Sequence, residues 1–152
     1  LFRSSAASDV YKRQEFGPRA LGNRSLLADP RDSNIKDAIN DIKRRQKFRP
    51  FAPAILEEYA TEYFDGPINE YMQFVAKAKH DYSSVTHVDG TARVQVVKKG
   101  CGSAIRQILE EWYESTGCPM LLNTSLNIKG KPMVNTKEDA EEFSRLYNVA
   151  VF

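Results

Sequence analysis

Long apolar runs are missing from this chain, and no window approaches the ~18 uncharged hydrophobic residues that a membrane-crossing helix needs. Cysteine and histidine are scarce as well. Cys101 and Cys118 lie far apart without CxxC spacing, and the histidines are His80 and His87. Neither a disulfide scaffold nor a structural zinc site is supported. The plain reading of the two thiols is that they are reduced, in a cytoplasmic protein. A strong charge imbalance is also lacking. The chain has 22 Lys+Arg against 20 Asp+Glu, and Arg3, Lys12 and Arg13 against Asp9 supply the whole excess of +2. Nothing here amounts to a global basic field for nucleic acid.

What is present suits one globular unit. The chain has 152 residues, 41% of them hydrophobic, enough for a single core and too few for two full domains. Residues 1–14 are Ser/Ala-rich, end in Lys12-Arg13-Gln14 and show no periodicity. They have neither the apolar run nor the cleavage site of a signal peptide. They are expected to be a non-native or disordered leader, with one domain over 15–152.

Along that domain the elements interleave. Residues 15–22 are turn-rich, 26–28 read as a short strand, and Ile35, Ala38, Ile39 and Ile42 predict an amphipathic helix over 33–46 with Ser33 as N-cap. Pro50 and Pro53 stop it. A strand at 54–56 and a short helix at 57–64 follow. Residues 71–78 and 85–97 read as β-structure, with Asp89-Gly90 as the turn of a hairpin. Ser103 opens a helix with Ile105, Ile108, Leu109 and Trp112 inward, ending at Gly117. A buried strand at 119–122, a helix at 137–147 opened by a Thr136/Asp139 capping box, and a strand at 149–152 complete the chain. The fold class is α/β, a single domain with a twisted mixed sheet flanked by helices.

Polar groups gather at the ends of these elements. Lys43, Arg44, Arg45, Lys47 and Arg49 fall within seven residues. The helix macrodipole accounts for one or two cations at a C-terminus, but five repel one another unless water or an anion neutralises them. Phosphate suits guanidinium groups through bidentate bonds; a solvated charged face is the alternative. In 86–95, His87 is a candidate general base with Asp89 as its orienter, or an ordinary hydrogen-bonded histidine. Arg93 interrupts an apolar alternation and calls for a carboxylate or an anionic ligand. Strand 119–122 runs into Asn123-Thr124-Ser125-Leu126-Asn127, whose amides and hydroxyls suit phosphate oxygens or a carbamoyl group, or form an ordinary polar turn.

Five stretches in order carry a resemblance. They are Glu15-Phe16-Gly17-Pro18-Arg19-Ala20-Leu21-Gly22-Asn23-Arg24-Ser25, Leu27-Ala28-Asp29-Pro30-Arg31, Phe48-Arg49-Pro50-Phe51-Ala52-Pro53, the 86–95 segment beginning Thr86-His87-Val88-Asp89-Gly90, and Leu122-Asn123-Thr124-Ser125-Leu126-Asn127. Together they resemble the C-terminal region of NodU/CmcH-type carbamoyltransferases, over roughly 15–152. The resemblance implies a YrdC-like fold that uses ATP and carbamoyl phosphate to form carbamoyl-adenylate. A covalently linked N-terminal ASKHA domain then passes the carbamoyl group to a hydroxyl of a small-molecule acceptor. That domain is absent from the sequence, and both ends look clipped.

The resemblance also implies roles. Lys43-x-Arg45 and Ser125-x-Asn127 match the family's Lys-x-Arg and Ser-x-Asn elements, and Gly130-x-Pro132 follows as it does there. Lys43, Arg45 and Arg49 would hold phosphates, and Arg93 the anionic end of the carbamoyl donor. Ser125 and Asn127 would orient the adenylate, and Thr86 and His87 would line the carbamoyl pocket. Arg19, Arg24 and Asn123 are further candidates. No carboxylate cluster for a metal is evident, so Mg²⁺ would arrive with ATP. Lys131 departs from the pattern, standing where an acidic residue is common. Two other readings compete. One is a stand-alone threonylcarbamoyl-adenylate synthase for tRNA modification, opposed by the 15–25 and 48–53 motifs. The other is an RNA-binding module built on the 43–49 patch, opposed by neutral charge and little basic–aromatic interleaving.

Overall fold

The structure, a computed structural model, describes residues 3–4, 19–127 and 130–151. Chain order is β1 (Arg3–Ser4), β2 (Ser25–Ala28), α1 (Ile35–Ile42), β3 (Ala52–Leu56), a 3-10 turn (Glu57–Tyr59), α2 (Ala60–Tyr63), β4 (Phe64–Asp65), β5 (Ala76–Ala78), β6 (Thr91–Ala92), β7 (Gln95–Val97), α3 (Ala104–Thr116), β8 (Met120–Ser125), α4 (Lys137–Tyr147) and β9 (Ala150–Val151). Of the set-aside residues 1–14, Arg3–Ser4 lie between β2 and β9 in the sheet, and the remainder fall outside the described residues.

The main sheet runs β7-β3-β8-β2-β1-β9 and is mixed. β8 is antiparallel to both its neighbours, β2 and β3, while β3 and β7 are parallel. A small antiparallel sheet, β4-β5-β6, packs beside it. The expected mixed-sheet α/β domain is what forms.

Strand alternation divides the core. Leu26, Ala28 and Leu122 pack with Ile35 and Ile39 of α1 and Ala140 and Phe143 of α4. Leu27, Ala54, Leu56, Val97 and Leu121 pack with Ile105 and Leu109 of α3. Ile55, Val96 and Met120 meet Phe64, Ala76 and Ala92 of the small sheet. Each buried aliphatic side chain contributes about 1.5–3 kcal/mol, so these clusters carry the stability.

α3 and α4 follow the sequence reading. α3 ends at Gly117 in the left-handed conformation (φ 69°), a geometry that glycine adopts without strain. Ser103 precedes it in extended conformation, without a side-chain capping bond. The Thr136/Asp139 capping box opens α4 as expected.

Five expectations need correction. α1 stops at Ile42 because the chain closes a Schellman-type turn: Arg44 is left-handed (φ 49°), with Arg45 N–H bonded to Asn40 O and Arg44 N–H to Asp41 O, both at 3.0 Å. Its N-cap is Asn34 instead of Ser33, again without a side-chain bond. Strand β8 extends through Asn123 to Ser125, since β2 flanks the polar residues throughout and β3 pairs with Asn123. Residues 85–90 form no strand. His87 N–H bonds to Thr91 O at 2.7 Å, closing a turn whose tip residue Val88 is 99% exposed and has no apolar surface to meet. Of 71–78, only Ala76–Ala78 is strand, because the Asn69 side-chain Oδ1 captures the Tyr71 N–H at 3.0 Å and bends the backbone.

Candidate functional site

One end of the main sheet collects almost every polar candidate. It comprises the C-terminal end of β8 and the N-terminal ends of β2, β3 and β7, as the pairings Ser25↔Ser125, Ala52↔Asn123 and Ala54↔Gln95 establish. The segments entering that end are 19–24 before β2, 43–51 before β3 and 86–94 before β7.

The cationic turn and the hydroxyl–amide turn meet there. Lys43 is only 7% exposed. Its ammonium donates to the Ser125 carbonyl oxygen, to Ser125 Oγ at 3.0 Å and to Asn127 Oδ1 at 2.6 Å. Ser125 Oγ and Asn127 Oδ1 are themselves 2.7 Å apart. Burial, with the neighbouring Arg45 charge second, pulls the Lys43 ammonium down to about 7. The three oxygens around it favour the charged form and oppose that depression.

Asn40, fully buried on α1, organises the turn, and sequence reasoning missed it. Its Nδ2 donates to Arg49 O at 2.9 Å and Lys47 O at 3.2 Å, while Oδ1 accepts from Arg45 Nε at 2.6 Å. A polar residue beside Ile39 at the edge of the apolar face was the available signal. The Arg45 guanidinium stacks 4.3 Å from the Phe51 ring centre, a favourable cation–π geometry. Burial, then the Arg49 charge, lowers the Arg45 pKa. Phe51 N–H in turn bonds to Ser84 O at 2.9 Å, tying this turn to the segment that leads into Thr86 and His87.

A second buried link crosses the sheet end. Asn123 Nδ2 donates to Gln95 Oε1 at 2.6 Å and to Ala20 O at 3.0 Å, and Gln95 Nε2 donates to Leu21 O at 2.8 Å. These amides hold the 19–24 segment down. Gly22 makes that approach possible, because a Cβ there would sit 2.8 Å from Ile105 Cβ. Gln95 is a second residue the sequence reading passed over, hidden among the apolar residues of β7. Arg93 is half-buried; desolvation first, then the Arg19 charge, lowers its pKa. Arg24 binds the β8 turn through its backbone, accepting from Leu126 N–H at 2.8 Å. Glu15 to Pro18 of the first motif lie outside the described residues.

His87 does not contact Asp89 directly. Its Nδ1 lies 2.9 Å from Thr91 Oγ1, and Asp89 Oδ1 accepts from that hydroxyl at 2.6 Å and from Thr91 N–H at 3.0 Å.

The arrangement has the character of an anion site. Among the described residues, Lys43, Arg45, Arg49 and Arg93 form no ion pair with a carboxylate. Ser25 Oγ, Thr86 Oγ1, Arg93 Nε and Asn123 Oδ1 are buried without a hydrogen-bond partner among those residues. Each such group costs about 1–3 kcal/mol; their concentration at one end of the sheet fits a polar ligand, and Arg93 Nε among them suits a negatively charged one. Beyond Asn127, whose Nδ2 donates to Lys131 O at 3.1 Å, a pocket opens against α4, lined by Lys131, Met133, Val134, Asp139 and Phe143 among others. No described helix is long and apolar enough to cross a membrane.

Known proteins resemble this chain. It is 46% identical over 140 residues to nodulation protein NolNO of Sinorhizobium fredii, covering 86% of this chain and 21% of that protein. Nodulation protein NolO of Bradyrhizobium diazoefficiens is 45% identical over 140 residues, covering 86% of this chain and 26% of that protein. Nodulation protein U of Rhizobium tropici is 37% identical over 142 residues, covering 90% and 25% respectively. The chain thus spans 21–26% of the length of these relatives. A family model described as carbamoyltransferase C-terminus matches residues 2–151. With that match over nearly its whole length, the chain belongs to the carbamoyltransferase C-terminus family.

Proposed function

We propose that this chain is the nucleotide-binding portion of an ATP-dependent O-carbamoyltransferase. The observation that carries the reading is the contact of Lys43 with Ser125 and Asn127. It joins the cationic turn to the hydroxyl–amide turn at one site. ATP and carbamoyl phosphate are the substrates, and carbamoyl-adenylate is the product. Water first splits carbamoyl phosphate into carbamate and phosphate; a carbamate oxygen then attacks the α-phosphorus as the bond to pyrophosphate breaks, so negative charge builds on phosphate oxygens. Prepositioned cations are the main catalytic resource for such a step.

In this scheme Lys43, Arg45 and Arg49 bind the phosphates, and Lys43 gives up its bonds to Ser125 and Asn127 in exchange. Arg93, with Arg19 beside it, takes the anionic end of the carbamoyl donor. Ser125 and Asn127 orient the adenylate, and the pocket beyond Asn127 receives the nucleoside. Thr86 and His87 line the carbamoyl position, while Asn123 and Arg24 hold the surrounding backbone. Magnesium enters with ATP and screens its phosphates. Transfer to a hydroxylated small-molecule acceptor belongs to a covalently linked N-terminal ASKHA domain of a longer protein, with this YrdC-like portion acting before it. The use of metabolic ATP fits a cytoplasmic setting.

Titration calorimetry with ATP tests the site. Wild-type chain should bind, and Arg49→Ala should weaken binding by about 1–3 kcal/mol, the worth of a hydrogen bond to a charged group. Exchange of labelled pyrophosphate into ATP should require carbamoyl phosphate. Absence of ATP binding, or an Arg49→Ala affinity equal to wild type, contradicts the reading.

A further inference from the structure

The 86–93 segment contains a chain of hydrogen bonds whose direction is fixed by chemistry. Asp89 is exposed, and its carboxyl is held below the ordinary carboxylate range, chiefly by the bond from the Thr91 side chain. It is therefore ionised at neutral pH and can only accept. Thr91 has one hydroxyl proton, and at 2.6 Å that proton goes to Asp89 Oδ1. The Thr91 oxygen must then accept from His87, which is 2.9 Å away through Nδ1. A neutral imidazole carries a single N–H. With that proton at Nδ1, Nε2 is left with a lone pair and no proton.

The turn holding these groups is closed by its own backbone. His87 N–H bonds to Thr91 O at 2.7 Å, and Gly90 N–H to His87 O at 3.0 Å. On either side in the chain, Thr86 Oγ1 and Arg93 Nε are buried without partners among the described residues. These orphaned groups are a second, independent sign that a polar ligand is bound along this segment.

We propose that Thr91 is a positioning residue, which orients His87 so that Nε2 accepts a hydrogen bond from the carbamoyl NH₂ and thereby selects carbamoyl over acyl donors. This rests on the carbamoyl-adenylate reading above. The selective logic is one of hydrogen-bond polarity. A carbamoyl group presents N–H donors where an acetyl group presents a methyl. A site built to receive an N–H rejects an analogue that lacks it, because its own acceptor is then left unpaired. Asp89 would orient His87 only weakly by charge alone; acting through the hydroxyl, it fixes the tautomer. The proton need not move during the reaction. His87 serves as an acceptor throughout, and Thr91 and Asp89 touch no substrate atom.

Nitrogen-15 NMR of histidine-labelled protein reads the tautomer without any substrate. His80, which is exposed and lies against Tyr63 with ring centres 4.8 Å apart, is the internal reference. Wild type should show His87 as the Nδ1–H form. Thr91→Val should move it toward the Nε2–H form that predominates in free histidine, and Thr91→Ser, which keeps the hydroxyl, should restore Nδ1–H. Carbamoyl phosphate-dependent pyrophosphate exchange should fall on the order of 10-fold in Thr91→Val and recover in Thr91→Ser, with ATP affinity unchanged in both. Preference for carbamoyl phosphate over acetyl phosphate should narrow in parallel. An Nε2–H signal in wild type, or a Thr91→Val protein with wild-type tautomer and wild-type preference, overturns the proposal. Loss of ATP binding by wild type is a different result. It removes the nucleotide reading and carbamoyl selection with it, while the NMR signal still decides whether Thr91 sets the ring.

Discussion

Arg106 and Lys43 are both nearly sequestered from water, 6% and 7% exposed, and their surroundings treat them in opposite ways. Arg106 grips both oxygens of Glu58 at 2.6 and 2.8 Å, Glu110 at 2.7 Å, and the Val97 carbonyl at 3.1 Å. These bonds raise its pKa and drive Glu58 down to about 2. It fastens α3 to the 3-10 turn after β3. Lys43 has neutral oxygens around it and a second cation, Arg45, beside it. One region neutralises its charge internally and gains rigidity. The other leaves positive charge unneutralised, an arrangement that stability does not favour and anion binding does.

That contrast is open to disruption. The largest effect should come from Arg106→Met, which strands two carboxylates and should cost about 2 kcal/mol in urea unfolding. This is less than for a fully buried pair, because water reaches both glutamates. At neutral pH Lys43→Met should be at least as stable as wild type, because it removes a buried charge, while abolishing ATP binding measured by calorimetry. If Lys43→Met proved as destabilising as Arg106→Met, the division between structural and functional cations would fail.

A pH series sharpens the comparison. The folded-state pKa of Lys43 lies near 7 and its ordinary value near 10.5. Between them the folded chain binds fewer protons than the unfolded one, so stability rises with pH across that window and levels off above it. Below about 7 the full cost of burying the charge is present. Unfolding midpoints from pH 6 to 10 should therefore climb in wild type and climb less in Lys43→Met, while Arg106→Met should retain the wild-type slope. The smallest effect concerns the turn itself. Arg44 sits at φ 49°, and Arg44→Gly should raise the unfolding free energy by about 1 kcal/mol by relieving left-handed strain.

Periodicity made much of the architecture legible. α3 and α4 could be read because their apolar spacing agreed with local stop and start signals, Gly117 and the Thr136/Asp139 box. Failures came where long-range pairing overrode local character. Asn123 and Ser125 look like turn residues, yet β2 recruits them into a strand. Thr86 and Val88 look like strand residues, yet among the described residues no neighbour offers them a ladder. At the site, the charged and hydroxyl residues were visible as departures from their surroundings. The residues that arrange them were less so. Asn40 and Gln95 each act through contacts with segments distant in the chain or beyond the helix, and nothing local marks an amide as an organiser. Thr91 was visible in its motif but not as the link between Asp89 and His87.

If the turn binds phosphates as proposed, the grip of Ser125 and Asn127 on Lys43 has a kinetic meaning. At rest the ammonium is latched by three oxygens, so an arriving ion must displace a full set of partners before it gains any. Singly charged, diffuse anions have little to offer in that exchange. A polyphosphate would present several oxygens at once, some to Arg45 and Arg49 before Lys43 lets go, and so release the latch stepwise. On the proposed reading, the resting contact would act as a filter for ligands that engage more than one cation of the turn together.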